Sequence, residues 1–129
     1  MATNNELDEK FIAQQRDRLE NLKEELLRIR SGMSADERER AENEADTQLD
    51  SGDTSQDIYA REMDATIGEQ VERRLADVGR ALQKIEDGNY GICDDTGEPI
   101  PRGRLEAVPE AIRTVEAQQS YERERRPPF

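Results

Sequence analysis

The chain has 129 residues, of which 33% are hydrophobic, 39% charged and 4% aromatic, with no tryptophan. That composition excludes a large globular core and suits a helical hairpin whose core is a seam between helices. With 31 acidic against 19 basic residues the net charge is −12. This charge argues against a protein that embraces nucleic acid directly. It favours a basic protein surface, or a pore that normally holds nucleic acid or cations.

The single cysteine permits no internal disulfide and points to a reducing compartment, hence the cytoplasm. No apolar run approaches the roughly 20 residues that a membrane span needs. The start, MATNNELDEK, does not read as a signal peptide.

From Leu7, apolar residues at Phe11, Leu19, Leu22, Leu26, Ile29 and Met33 keep heptad spacing, with the polar Gln15 between Phe11 and Leu19. This predicts a first helix over about residues 7 to 31. Glu20 with Lys23, and Glu24 with Arg28, are spaced as surface pairs on it. Ser31-Gly32 interrupts the pattern. Ser34-Ala35-Asp36-Glu37 reads as a capping box, so a further helix is expected from Ala35. Its apolar stripe, Ala41, Ala45 and Leu49, is thin.

Asp50-Ser51-Gly52-Asp53-Thr54-Ser55 is rich in residues that bond their own backbone, and reads as a turn. A long helix follows over Gln56 to Asp87. Its stripe is Tyr59, Met63, Ile67, Val71, Leu75, Val78, Leu82 and Ile85. A stripe this narrow needs a partner helix, which the first arm supplies by running antiparallel. Asp87-Gly88-Asn89 is the stop signal, since glycine and asparagine tolerate the left-handed conformation that ends helices. Between Asp36 and Asp64 stand eleven acidic residues against three arginines. Most of these carboxylates suit an ordinary solvated face.

The remainder reads as a small terminal unit. Asp95-Thr96-Gly97 is a turn between short extended pieces, Tyr90 to Cys93 and Glu98 to Ile100. Pro109 suits the first turn of a final helix with Ala111, Ile112, Val115 and Tyr121 on its inner face. The fold class expected is mainly α: a long antiparallel coiled-coil hairpin over residues 1–89, its tip at about 50–57, and a compact end over 90–129.

The run KIEDGNYGIC, a turn, and then GEPIPRGRLEAVPEA resembles the DksA/TraR-type bacterial transcription regulators. Arg104-Leu105-Glu106-Ala107-Val108-Pro109 matches that family's R-L-E-A-x-P segment, and Tyr59-Ala60-Arg61-Glu62-Met63-Asp64 resembles the start of its second coiled-coil helix. The resemblance implies a coiled-coil hairpin followed by a zinc finger with two C-x-x-C pairs. Here those positions are Cys93 and Thr96, then Thr114 and Ala117, and the chain has no histidine. Structural zinc takes four ligands, nearly always cysteine and histidine. A degenerate finger is therefore expected, with no metal and no cofactor. Ile92, Ile100, Leu105, Val108, Ile112 and Val115 would supply the packing, and Thr96 and Thr114 could bond across the vacated site. Cys93 then reads as a small buried hydrophobe rather than a reactive thiol.

The resemblance further implies a monomer that binds bacterial RNA polymerase, inserts its acidic tip into the secondary channel and alters promoter-complex stability. It would bind neither DNA directly nor a membrane. The family's tip motif is D-x-x-D-x-A. Asp53, Asp57 and Ala60 offer its residues with each gap one longer, and Asp50 stands beside them in the turn. Asp53 or Ser55 equally suits an ordinary helix cap. The alternative is a helical interaction module with no polymerase role, which gives no reason for R-L-E-A-x-P after G-I-C. An enzyme is not expected, for there is no histidine, nucleophile pattern or phosphate-cradling loop.

Overall fold

The computed structural model describes residues 4–46 and 54–125, with side chains over 4–33 and 65–125. Four helices lie among the described residues: α1 (Glu9–Asp46), α2 (Thr54–Asp87), α3 (Arg102–Ala107) and α4 (Val115–Arg125). The extended structure among them is a single antiparallel bridge, Ile92 with Pro99.

Asp8 starts α1. Its carboxylate accepts the Phe11 N–H at 2.7 Å, satisfying one of the donors that a helix start leaves unbonded. The break expected at Ser31-Gly32 does not occur, and α1 runs unbroken to Asp46. A glycine costs a helix only about 1 kcal/mol relative to alanine. Both residues are exposed, so no buried group is stranded by continuing. The capping-box sequence at Ser34 is thus compatible with a helix start without forcing one.

The end of α2 follows its sequence closely. Gly88 takes φ +81, the Asn89 N–H donates to Lys84 O at 2.9 Å, and the Gly88 N–H donates to Ile85 O at 3.3 Å. These are the paired bonds of a Schellman stop.

Packing divides the chain into two units, Glu24–Leu75 and the two flanking pieces Met1–Lys23 with Ala76–Phe129. In the first, Leu26 and Val71 are buried, Arg30 pairs with Glu72 at 3.4 Å, and a Cβ on Gly68 would lie 3.5 Å from the Met33 side chain. Rising numbers on α1 meet falling numbers on α2, so the pair is antiparallel. Ile29 and Ile67, which share the heptad stripe, are 41% and 42% exposed.

In the second unit α1 contributes Phe11, Gln15 and Leu19, and α2 contributes Val78, Ala81 and Lys84, all buried. Against them pack Tyr90, Ile92, Cys93, Ile100, Leu105, Ala111, Ile112 and Ala117. Of the two expected extended pieces the structure keeps the Ile92–Pro99 bridge, while Tyr90 and Gly91 lie in a turn, with Gly91 at φ +86. The connecting turn is present, as Cys93 N–H donates to Glu98 O at 2.8 Å and Gly97 N–H to Cys93 O at 2.9 Å, with Gly97 at φ +74.

Two expectations for this end are corrected. The final helix starts at Val115, not at Pro109, because Thr114 caps it: its hydroxyl accepts the Ala117 N–H at 3.2 Å. Pro109 lies instead in the turn after α3. Val115 consequently sits in the first turn and is 46% exposed, not packed inside, and Val108 is only half-buried. The short α3 has no counterpart among the expected elements, since six residues with one buried apolar position, Leu105, show no period.

Leu26 and Ile29 look equivalent in sequence and differ in burial. Leu26→Ala should cost about 2 to 4 kcal/mol through the cavity it leaves, and Ile29→Ala no more than about 0.5 kcal/mol. Urea unfolding of the two variants checks this.

Candidate functional site

Of the expected tip residues, Asp50 and Asp53 lie outside the described residues. Asp57 and Ala60 fall in the first two turns of α2, and their side chains also lie outside.

Cys93 follows the bridge residue Ile92 and is 2% exposed. Burial pushes its thiol up. The Thr96 hydroxyl and the backbone N–H groups of Thr114, Thr96 and Asp95 donate to the sulfur and outweigh burial, holding the thiol below its ordinary value. Thr96 and Thr114 thus both bond the sulfur, one through its hydroxyl and the other through its backbone. The Thr114 hydroxyl turns instead to the start of α4. Ala117 is buried beside it and brings only a methyl group. The four positions singled out by spacing therefore come together, as one thiol, two hydroxyls and one methyl.

The next residue, Asp94, ties this loop to α2. Arg80 donates to both its oxygens, at 2.8 and 3.0 Å, and Lys84 Nζ donates to Oδ1 at 2.6 Å. The Lys84 side chain is 1% exposed and that of Asp94 is 19% exposed. Burial alone would raise the Asp94 carboxyl, yet the hydrogen bonds from Arg80 and Lys84 prevail and hold it below the usual carboxylate range. Its backbone N–H donates to Ile112 O at 2.9 Å, joining the two halves of the end.

A third set of contacts explains R-L-E-A-x-P. Gln15 Nε2 donates to Leu105 O at 2.7 Å and to the Tyr90 hydroxyl at 3.1 Å, and that hydroxyl donates to Pro109 O at 2.8 Å. Arg18 donates to Gln15 Oε1 at 2.8 Å and to Glu106 O at 3.0 Å. Arg104 Nε donates to Arg113 O at 2.9 Å, and the Leu105 side chain is fully buried. The segment thus offers its carbonyls to α1 and its leucine to the core. Sequence reading flagged Gln15 as a polar residue in an apolar stripe, but not its partners. Tyr90, Arg18, Lys84 and Asp94 were missed as tying residues. Lys84 in particular looks like any surface lysine in a helix's last turn.

Beyond the sulfur, Thr96, Thr114 and Ala117 line an open groove of about 720 Å³ that Arg113 and Tyr121 also border. Arg113 pairs with Asp95 at 2.9 Å and lies 3.8 Å from the centre of the Tyr121 ring. No group of three or more histidine, cysteine or acidic side chains among the described residues is arranged to hold a metal ion.

Replacing Asp94 leaves the fully buried Lys84 ammonium facing a neutral amide, whereas replacing Lys84 leaves Asp94 its Arg80 partner. Asp94→Asn should therefore cost about 2 to 4 kcal/mol. Lys84→Met should cost distinctly less, and combining the two should recover part of the loss. A double-mutant cycle by chemical denaturation measures all three.

Comparison with known proteins places this geometry. The model of the prokaryotic dksA/traR C4-type zinc finger matches residues 88–123. The RNA polymerase-binding transcription factor DksA of Caulobacter vibrioides is 33% identical over 122 residues, spanning 92% of this chain and 84% of that protein. General stress protein 16O of Bacillus subtilis is 51% identical over 65 residues, half of this chain and 40% of its own. Transcription factor DksA2 from Pseudomonas aeruginosa superimposes with a TM-score of 0.68 at 29% identity, covering 92% of this chain and 89% of that one. These relatives are named as transcription factors or a stress protein, not as enzymes. No helix among the described residues is long and apolar enough to cross a membrane. The donor set does not fit a four-thiolate zinc centre, since one sulfur, two hydroxyls and a methyl cannot complete a tetrahedron of soft ligands. On the identity and coverage of these matches, the chain belongs to the DksA/TraR family, and its finger retains one of the four thiols.

Proposed function

We propose that this protein is a transcription regulator that binds bacterial RNA polymerase and alters promoter-complex stability by placing an acidic hairpin tip in the secondary channel. The observation that carries the reading is similarity along nearly the whole chain to a factor named for polymerase binding. Charge supports the mode. The segment from Asp36 to Asp64 holds eleven acidic residues and three arginines, and it spans the end of α1 and the start of α2. Two helices side by side are roughly 20 Å across, narrow enough for a pore that a globular domain would not enter. A cation-holding site attracts such a probe. The net charge of −12 disfavours direct contact with DNA and suits a monomer that works on the enzyme.

Two registers of the tip motif are open. Asp53, Asp57 and Ala60 carry its residue types with widened gaps. Asp50 and Asp53 stand three apart, as D-x-x-D-x-A requires, with Ser55 in the alanine's place. An asparagine scan of Asp50, Asp53 and Asp57 decides between them. The active pair should lose most of the effect on promoter-complex lifetime while polymerase affinity stays nearly unchanged, because the rest of the hairpin and the compact end would carry the binding. If the wild-type chain does not bind polymerase, the interaction-module reading replaces this one.

The finger is proposed to fold without zinc. Elemental analysis should give far less than one zinc per chain, and a chelator should leave the helical circular-dichroism signal unchanged. About one zinc per chain would overturn the metal-free reading and leave the polymerase reading standing.

A further inference from the structure

The first described residues are bound to the finger, not merely placed before α1. Asn4 is 9% exposed, and its side-chain amide donates to Gly91 O at 3.0 Å and to Ile100 O at 2.7 Å. Those carbonyls flank the Ile92–Pro99 bridge, and Gly91 O also accepts the Ile100 N–H at 2.7 Å. An amide nitrogen has two protons, and each is used on one strand of the loop. The Asn4 carbonyl oxygens are also engaged: Oδ1 accepts the Glu6 N–H at 3.1 Å, and the main-chain oxygen accepts the Leu7 N–H at 3.2 Å.

The same segment holds α3. The Glu6 carboxylate accepts the Arg102 N–H at 2.9 Å, at the start of that helix. Arg102 reaches back to Glu6 O at 3.2 Å, and its guanidinium lies 4.2 Å from the centre of the Phe11 ring. Gly91 is fitted to this arrangement twice. Its φ of +86 suits glycine, and a Cβ there would come within 2.5 Å of Leu7 Cδ1 and 3.0 Å of the Asn4 amide nitrogen.

We propose that residues 4–8 form a releasable clasp on the finger. While docked, the segment locks the Gly91–Ile100 loop and the start of α3. When it lifts, the loop opens locally and the packing of α1 on α2 stays intact. The clasp uses few, mostly polar contacts, the kind of element that opens below the global unfolding free energy. Cleavage, modification or capture of this segment would thus be transmitted to the finger.

Hydrogen exchange on the full-length chain tests the clasp, with Asn4→Ala and Asn4→Asp as variants. The aspartate keeps the size of the side chain and removes both donors. Each variant should speed exchange of the Ile92, Cys93 and Ile100 amides by roughly tenfold, the effect of losing two hydrogen bonds. Amides around Leu19 and Val78 should keep their wild-type rates. Unchanged rates in the finger would overturn the proposal. So would acceleration, or loss of structure, extending equally through α1 and α2, because the segment would then be part of the global core and not a releasable element.

Discussion

The Gln15 amide fixes how α1 meets the compact end. Phe11 and Leu19, one heptad step to either side, are apolar and would fit several registers. Gln15 fits one. Its two donors meet Leu105 O and the Tyr90 hydroxyl, and its oxygen is held by Arg18. Shifting α1 would strand buried polar groups on both sides, each at about 1 to 3 kcal/mol. A buried polar residue in an apolar seam stabilises little by itself but discriminates strongly between registers. Gln15 thereby ties α1 to the R-L-E-A-x-P turn at the end of α3, alongside Arg18 and the Glu6–Arg102 contacts.

What a metal does in a four-thiolate finger is to cross-link two loops that have too little core to hold themselves. The same two loops are joined here by ordinary bonds. Residues 93–96 reach residues 112–114 through the Asp94 N–H to Ile112 O and through the Thr114 N–H to the Cys93 sulfur. The Asp94 carboxylate, gripped by Arg80 and Lys84, fastens the pair to α2. Ile92, Ile100, Leu105 and Ile112 fill the space between. Each contact is weaker than a metal–thiolate bond, but together they cross-link the same two loops and fasten them to α2.

Local signals were legible in the sequence and long-range ones were not. The stop at Gly88-Asn89 depends on neighbouring residues alone, and it was read correctly. The seam through Leu19, Leu26, Val71 and Val78 was legible because a heptad is a local period. Ser31-Gly32 and Pro109 were misread for a shared reason: each permits a helix end or start without forcing one, and the exposed Ser31-Gly32 continues α1 while Thr114 caps α4. The four degenerate finger positions were placed by spacing against a known pattern. The partners of Gln15, 75 and 90 residues away, had no local signature. Nor had the pairing of Lys84 with Asp94, since burial of a lysine is decided by what folds over it.

Charge is spread unevenly along the chain. Among the described side chains of the unit Glu24–Leu75, Leu26 and Val71 are buried. The Glu24–Leu75 sequence also contains the acidic run from Asp36 to Asp64. Like charges along a helix repel and subtract from its stability. That repulsion is relieved wherever the surroundings are positive, next to basic side chains or a bound cation. A helix with excess negative charge is thus better held inside a cationic site than free in water. The carboxylates that weaken the free hairpin are the groups such a site would complement.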